Sequence, residues 1–429
     1  MNNKFLSVLL SLIIVFALSC KKKEVGIPEI TYYSPYENQV FNFDDTISVH
    51  CQIFDEIGIE SVKLVLVNSE FSPIGKAFFY SPGSSEFELK TDYPIPPAKI
   101  EAEQNYLLVV ADNGTKFKNK YLSLHINPLE RELENIIVLT KASGQHIGVS
   151  AVYPNVGGIE WLYSVVGSYS GSALDSDAQQ LFVAGKEVLN VQAYGLSDYG
   201  IEWEIVPDPY VPMHNAGCLH FDGVLFVANN FYSIKAYTAT GLQVFMANVL
   251  EDEKPGQLFR FNEFLFCDMQ SKSGAATHLV TWYVNSSAEK QRIFTNFEVV
   301  DYAVAFDNEI FLAVNSLGNS SVKLYDPESN VLTDLVLLPY EILSMVKIGE
   351  GEVLIGSGPD VFLYKYPENY PEVVLPGFRA CGIKLESISQ RLYVMGANAI
   401  DVFEFPQLQH LQQIPFNDSI LDIHFHYNK

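Results

Sequence analysis

Residues 219–237, LHFDGVLFVANNFYSIKAY, decide the fold. An apolar–polar–apolar triplet runs into Asp222-Gly223, a β-rich run follows, and a third alternating run ends in an aromatic. Asp-Gly between two such runs signals a hairpin. The unit then returns. Its triplets are Leu219-His220-Phe221, Phe259-Arg260-Phe261, Val304-Ala305-Phe306, Val346-Lys347-Ile348 and Ile383-Lys384-Leu385, whose last residues lie 40, 45, 42 and 37 apart. The third runs end at Tyr237, Tyr283, Tyr325, Tyr364 and Phe403, and an earlier copy ends at Tyr194. A period of about 42 residues with four short strands per unit predicts an all-β ring of small sheets.

This repeat resembles the WD40 and YVTN class of β-propeller, although it lacks the Trp-Asp dipeptide. Six units fill roughly residues 170–416. Residues 135–166 match the second, third and fourth strands of another unit, and residues 420–427 supply its first strand. The expectation is a seven-bladed β-propeller over 135–429, closed by the C-terminal strand, with a six-bladed ring as the rival because 143–212 is the least regular stretch. The first strand of a propeller blade is innermost. The triplets therefore place Asp175, His220, Arg260, Ala305, Lys347, Lys384 and His424 around the channel. Of these, His220, Arg260, Lys347, Lys384 and His424 form a candidate anion-binding set; solvation of the channel, or pairing with neighbouring carboxylates, is the plainer reading. Asp422, His424 and His426 share a strand face at spacing two, but a half-buried strand needs the same pattern and the other blades offer no matching set. No metal is expected.

Residues 30–127 read differently, as seven short strands near 30–33, 40–43, 47–54, 61–67, 77–80, 87–90 and 106–111, with 121–126 as an optional eighth. This spacing predicts a β-sandwich. Within it, HCQIFDEIGIESVKLVLV (50–67) and NYLLVVADNGTK (105–116) resemble bacterial Ig-like domains. The turns Asp55-Glu56-Ile57-Gly58 and Asp112-Asn113-Gly114 read as ordinary Asx-Gly turns, with calcium as an alternative. Residues 128–134, PLERELE, form a charged linker.

At the N-terminus Lys4 precedes an apolar run over 5–18, too short to span a bilayer comfortably and suited to a signal segment, with an uncleaved membrane anchor as the alternative. The run ends in Ala17-Leu18-Ser19-Cys20, which resembles a bacterial lipobox. The resemblance implies that a signal peptide of residues 1–19 is removed, that Cys20 is lipidated, and that 20–29 is a tether. Cys51, Cys218, Cys267 and Cys381 form no close pair and are expected as buried single thiols rather than two disulfides.

With 27 Lys and Arg against 51 Asp and Glu, the formal charge is −24, and no basic run lies beyond residue 23. That argues against nucleic acid as a partner. No G-x-S-x-G, phosphate loop or H-E-x-x-H occurs, and the acids lie mainly in turns, so no catalytic residue and no cofactor are assigned. Trp161, Trp203 and Trp282 are few for a sugar platform. Tyr163, Tyr169, Tyr194, Tyr199 and Tyr210 cluster in the irregular unit, near Pro207-Asp208-Pro209 and the loop containing His214, where a rim ligand would first be sought.

Taken together, the pattern resembles Bacteroidota exported lipoproteins with an N-terminal Ig-like domain and a C-terminal propeller. That resemblance implies an outer-membrane lipid anchor, with either the cell surface or the periplasmic face possible. It also implies a non-enzymatic binding or scaffolding role, as an accessory subunit of a transport or secretion complex with an outer-membrane protein partner or a glycan or peptide ligand. The alternative is a carbohydrate-active or other hydrolytic enzyme with its site at the channel mouth, which requires facing carboxylates in one pocket.

Overall fold

A computed structural model describes residues 26–428 except 97–99, 101, 155–157, 187–189, 207–214, 230–232, 275 and 369. The signal segment, Cys20, Pro207-Asp208-Pro209, Tyr210 and His214 lie outside the described residues. Every regular element among the described residues is a β-strand, as expected of an all-β chain. They fall into two compact units divided between Glu130 and Arg131.

The first unit has two sheets. One runs Glu29–Ser34, Thr46–Ile59, Ser84–Pro94; the other runs Gln39–Asn42, Phe117–Asn127, Gln104–Asp112, Ser61–Val67, Phe78–Tyr80. Strand alternation sends Ile47, Val49, Cys51 and Ile53 from one sheet, and Leu64, Leu66, Leu107 and Val109 from the other, into one core. The segment 55–58, expected as a turn, is instead a kink inside Thr46–Ile59, where the register slips between Phe54 and Ile59. Asp55 shapes it: Oδ1 accepts the Ile57 and Gly58 N–H groups at 2.8 and 3.3 Å, and Oδ2 accepts Asn113 Nδ2 at 2.9 Å. Three N–H donors thus converge on one carboxylate and hold the bend.

Among its described residues the second unit has seven four-stranded antiparallel sheets, and its fold is of the β-propeller type. Six sheets take four consecutive strands. The seventh is assembled from both ends of the unit: Ser419–Tyr427 pairs with Leu133–Ala142, followed by His146–Tyr153 and Gly158–Val166. The innermost strands touch in succession, from Ser168–Asp175 through Asn215–Phe221, Glu253–Phe261, Glu298–Phe306, Ile342–Gly349 and Gly382–Glu386 to Ser419–Tyr427, which returns to the first. Between sheets the apolar faces interlock; Val353, Ile355 and Tyr364 bury against Phe311, Ala313 and Val322 of the preceding sheet. Asp222 and Gly223, at φ 53° and 69°, make the tight inner hairpin that the Asp-Gly pair predicts.

One repeat residue is reassigned. Tyr237, Tyr325, Tyr364 and Phe403 pair with Leu225, Ile310, Val353 and Leu392, and their counterpart opposite Leu265 is Trp282, not Tyr283. Trp282 is 1% exposed and Tyr283 is 37% exposed, because Tyr283 sits one step further along on the outward side. The thiols differ from expectation as well: Cys51 and Cys267 are buried, but Cys218 is only partly covered and Cys381 is exposed.

The C-terminal strand is held on both flanks. Tyr427 donates its hydroxyl to Glu386 at 2.8 Å and its N–H to Ser176 Oγ at 3.2 Å, while Gln179 Nε2 donates to the Tyr427 carbonyl at 2.9 Å. Removing residues 420–429 strips out fully buried Ile423 and uncovers the edge of Leu133–Ala142. Large-to-small changes at such sites cost about 2–5 kcal/mol each against a total margin of about 5–15 kcal/mol. The truncated chain should therefore lose its cooperative thermal transition, and Ile423→Ala alone should lower stability by about 2–4 kcal/mol. Circular dichroism melts check both; a truncated chain with a wild-type transition would refute closure as the source of stability.

Candidate functional site

The innermost strands do not run straight. Bulges interrupt the ladder at Ser170, Ala216, Gly256-Gln257, Val300, Leu343 and Leu421. A bulge turns the strand and re-aims the residue that follows. Gly171, Gly217, Asp301, Ser344, Gly382 and Asp422 take one ladder position, and with Gln257 from the bulge of Glu253–Phe261 they line a cavity of about 540 Å³ on the axis. Small residues dominate because the strands crowd together: a Cβ on Gly171 would lie 2.9 Å from the backbone nitrogen of Cys218 in the next sheet.

Asp422 is the electrostatic centre. Its Oδ1 takes Lys384 Nζ at 2.7 Å and the Ile423 N–H at 2.8 Å. Its Oδ2 faces Ser172 Oγ at 3.2 Å, His424 Nε2 at 3.3 Å and Tyr169 OH at 3.4 Å. Lys384 also donates to the Ile423 carbonyl at 2.5 Å. Burial alone would raise the Asp422 carboxyl, but Lys384 and His424, through their charges and hydrogen bonds together, outweigh it and hold the group well below the usual carboxylate range. Burial, with Lys384 nearby, pushes His424 down and favours neutral imidazole despite Asp422. Asp301 occupies the equivalent position on the far side. It accepts the Tyr302 and Met345 N–H groups, both at 2.9 Å, yet burial, reinforced by Asp422, carries its carboxyl up to about 6.

Ser172, His424 and Asp422 look like a nucleophile, base and acid, but the wiring is wrong. Ser172 Oγ lies 2.7 Å from His424 Nε2, and Asp422 approaches that same nitrogen. A working triad places the acid on one ring nitrogen and the serine on the other.

Of the five residues expected around the channel, His220, Lys384 and His424 line the cavity, and Arg260 and Lys347 do not. The five do not share one ladder position, although position alone does not sort them, since His220 lines the cavity from the same position as Arg260 and Lys347. His220, Arg260 and Lys347 pair with Leu225, Leu265 and Val353, whereas Lys384 pairs with Tyr393, one step nearer the cavity. Neighbouring strand residues face opposite ways, so the five cannot form one ring. His220 Nε2 meets Asp175 Oδ2 at 3.1 Å, the Arg260 guanidinium lies 4.5 Å from the Phe221 ring, and Lys347 is exposed. At the cavity, Lys384 is paired with Asp422. His426 turns away to Gln179 Oε1 at 2.8 Å, so it does not join Asp422 and His424. Among the described residues, no three His, Cys, Asp or Glu side chains are grouped as a metal site. The neck residues were missed because glycine, serine and aspartate at one ladder position share no chemistry; the signal was their place three residues before His220 or Lys347.

No known protein family matches the sequence, and no curated protein does. Among solved structures, a quinonprotein alcohol dehydrogenase-like protein from Bacteroides thetaiotaomicron is similar over 92% of this chain and 99% of that chain, with TM-score 0.51 and 12% identity. At that identity the likeness speaks for the fold alone and agrees with a propeller. A computationally designed protein, with TM-score 0.48 and 12% identity over 68% of this chain and 91% of that one, is more distant. So is a dihydro-heme d1 dehydrogenase, with TM-score 0.49 and 10% identity over 69% and 76%.

Lys384→Met should leave Asp422 unpaired and cost about 2–4 kcal/mol, with Lys384→Met/Asp422→Asn recovering a good part of it; denaturant titration of the cycle measures the coupling. The two carboxyls also predict opposite pH limbs. Asp422, lowered on folding, contributes stability above about pH 4 that is lost on further acidification. Asp301, raised to about 6, binds its proton earlier in the folded state, so stability falls as pH rises from about 4 to 6. Asp268, raised to about 7 by burial, acts in the same sense. Asp301→Asn should flatten that limb in part, which melting temperature against pH will read.

Proposed function

We propose that the chain is a non-enzymatic, lipid-anchored binding or scaffolding protein of a bacterial outer membrane. In this reading Cys20 carries the lipid, residues 30–127 form an Ig-like spacer, and a seven-bladed propeller presents the recognition surface to an outer-membrane protein, peptide or glycan. The observation that carries the non-enzymatic part is the wiring of the axial cavity. Lys384 is held by Asp422 and a carbonyl, and Ser172 and Asp422 both face one nitrogen of His424, so the acid does not orient the imidazole from its far nitrogen as a working triad requires. A rigid closed ring with a satisfied centre suits presentation of a surface better than bond cleavage. The lipobox-like run before Cys20 supports the anchor, since one lipid with a short tether holds a protein at a membrane without spanning it.

A hydrolytic reading is kept for one reason. Asp301 and Asp422 share the cavity, and their surroundings push one carboxyl up to about 6 and the other well down. Pairs driven apart in this way often divide acid and base roles.

Expression in a Gram-negative host tests the anchor. The wild-type chain should sediment with outer membranes and Cys20→Ala should not; a Cys20→Ala chain retained there would sink the lipid anchor. A panel of chromogenic glycosides and esters separates the two roles. No turnover is expected, whereas turnover abolished by Asp301→Asn would replace binding with hydrolysis.

A further inference from the structure

A second concavity lies away from the axis, on the sheet face that turns toward the strands of residues 391–415. It is about 250 Å³ and is lined by Thr140, Ser150, Ile159, Trp161, Phe416, Asn417 and Asp418, with Pro415 at its edge. Trp161 and Ser150 are ladder partners, as are Thr140 and Gly148, so they project from one face. The face is apolar further in, where Val138 and Val152 pack against Ile414 and Phe416, and it opens outward at Trp161.

Trp161 is 55% exposed, against 1% for Trp282. Its indole is nonetheless fixed in place. A Cβ on Gly148 would meet the six-membered ring at 2.7 and 2.9 Å and Thr140 Oγ1 at 2.7 Å, so the ring lies against glycine backbone and keeps its other face to solvent. Beneath it Thr140 and Ser150 are 3% and 6% exposed. Among the described residues no hydrogen bond engages either hydroxyl, the Trp161 Nε1–H, the Asn417 amide or the Asp418 carboxylate. Both hydroxyls line the floor of the groove, where they can meet a ligand.

We infer that this groove binds a neutral sugar ring, stacked on Trp161 with its hydroxyls directed to Thr140, Ser150, Asn417 and Asp418. A pyranose offers a C–H face to an indole and a rim of hydroxyls that both donate and accept, which matches one aromatic face bordered by two hydroxyls, an amide and a carboxylate. A proline or aliphatic peptide segment would cover the indole but make no use of the bordering hydroxyls, amide and carboxylate. The groove has no basic residue to hold a phosphate or carboxylate. Its volume lies below the usual range for drug-sized ligands, which suits a terminal or single ring rather than an enclosed chain. The site is separate from the axial cavity and does not depend on what that cavity holds.

Isothermal titration of the full chain against neutral mono- and oligosaccharides tests the assignment, with tryptophan fluorescence followed in parallel. At least one neutral saccharide should bind with millimolar or tighter affinity and change the emission of the exposed indole. Trp161→Ala should weaken that binding about tenfold or more, and the isosteric Thr140→Val should weaken it about threefold, with both variants melting like the wild type. Should Trp161→Ala fail to fold, Thr140→Val and Asp418→Asn carry the test alone. Absence of binding across the panel, binding that survives Trp161→Ala, or preference for a proline-rich peptide over every sugar would each overturn the inference. Outer-membrane attachment is read separately, so loss of sugar binding leaves the anchor reading standing.

Discussion

A ring of sheets is only as stable as its last seam. Each four-stranded sheet buries two apolar faces against its neighbours, and an open arc would leave two such faces and their strand edges in water. Here the seam is the ladder between Ser419–Tyr427 and Leu133–Ala142, which mixes the two ends of the unit within one sheet. The side chains around it serve both neighbours: Tyr427 reaches Glu386 on one side and Ser176 on the other, and Lys384 crosses to Asp422. The seam and the axial charge cluster are therefore one object. Asp422 and His424 belong to the closing strand, so the electrostatics of the cavity exist only when the ring is shut.

The axial cavity follows from the same crowding. Seven strands converging on an axis cannot all carry large side chains, and glycine, serine and aspartate at the neck are what remain when backbones approach to the distance seen at Gly171. Bulges then expose polar backbone and side chains toward the centre. A partly buried Lys–Asp pair in such a place is weak evidence for stability as such, because desolvation offsets much of the attraction. Its clearer effect is to fix which strand sits beside which: Lys384 finds its partner only on the strand that closes the ring.

Much of this was legible in the sequence because the repeat is a statement about packing. Apolar triplets, tight turns and terminal aromatics recur because each sheet solves the same burial problem, and they placed the tail as the missing first strand of the incomplete unit. What failed were one-residue registers. The triplets Leu219-His220-Phe221 and Ile383-Lys384-Leu385 look interchangeable, yet on the ladder they are offset by one, which sends Lys384 and Arg260 to different surroundings. The same slip exchanged Trp282 for Tyr283. Periodicity in sequence tolerates such offsets; hydrogen-bond ladders do not. The groove at Trp161 was illegible for another reason. Its residues come from segments some 250 positions apart, and an exposed tryptophan has no sequence signature that separates it from a buried one.

The pairing of residue 427 with residue 133 has a consequence in time rather than space. A chain is made from its N-terminus, so the strand Leu133–Ala142 must wait nearly three hundred residues for its partner. Through that interval its edge is open, and the sheets already formed constitute an arc with an unsatisfied face at each end. Contacts of such long sequence separation make for slow folding. The cell therefore holds this protein in an incomplete, association-prone form until its final strand is available, and whatever keeps it from pairing with other edges in that window is as much a condition of its existence as the ring itself.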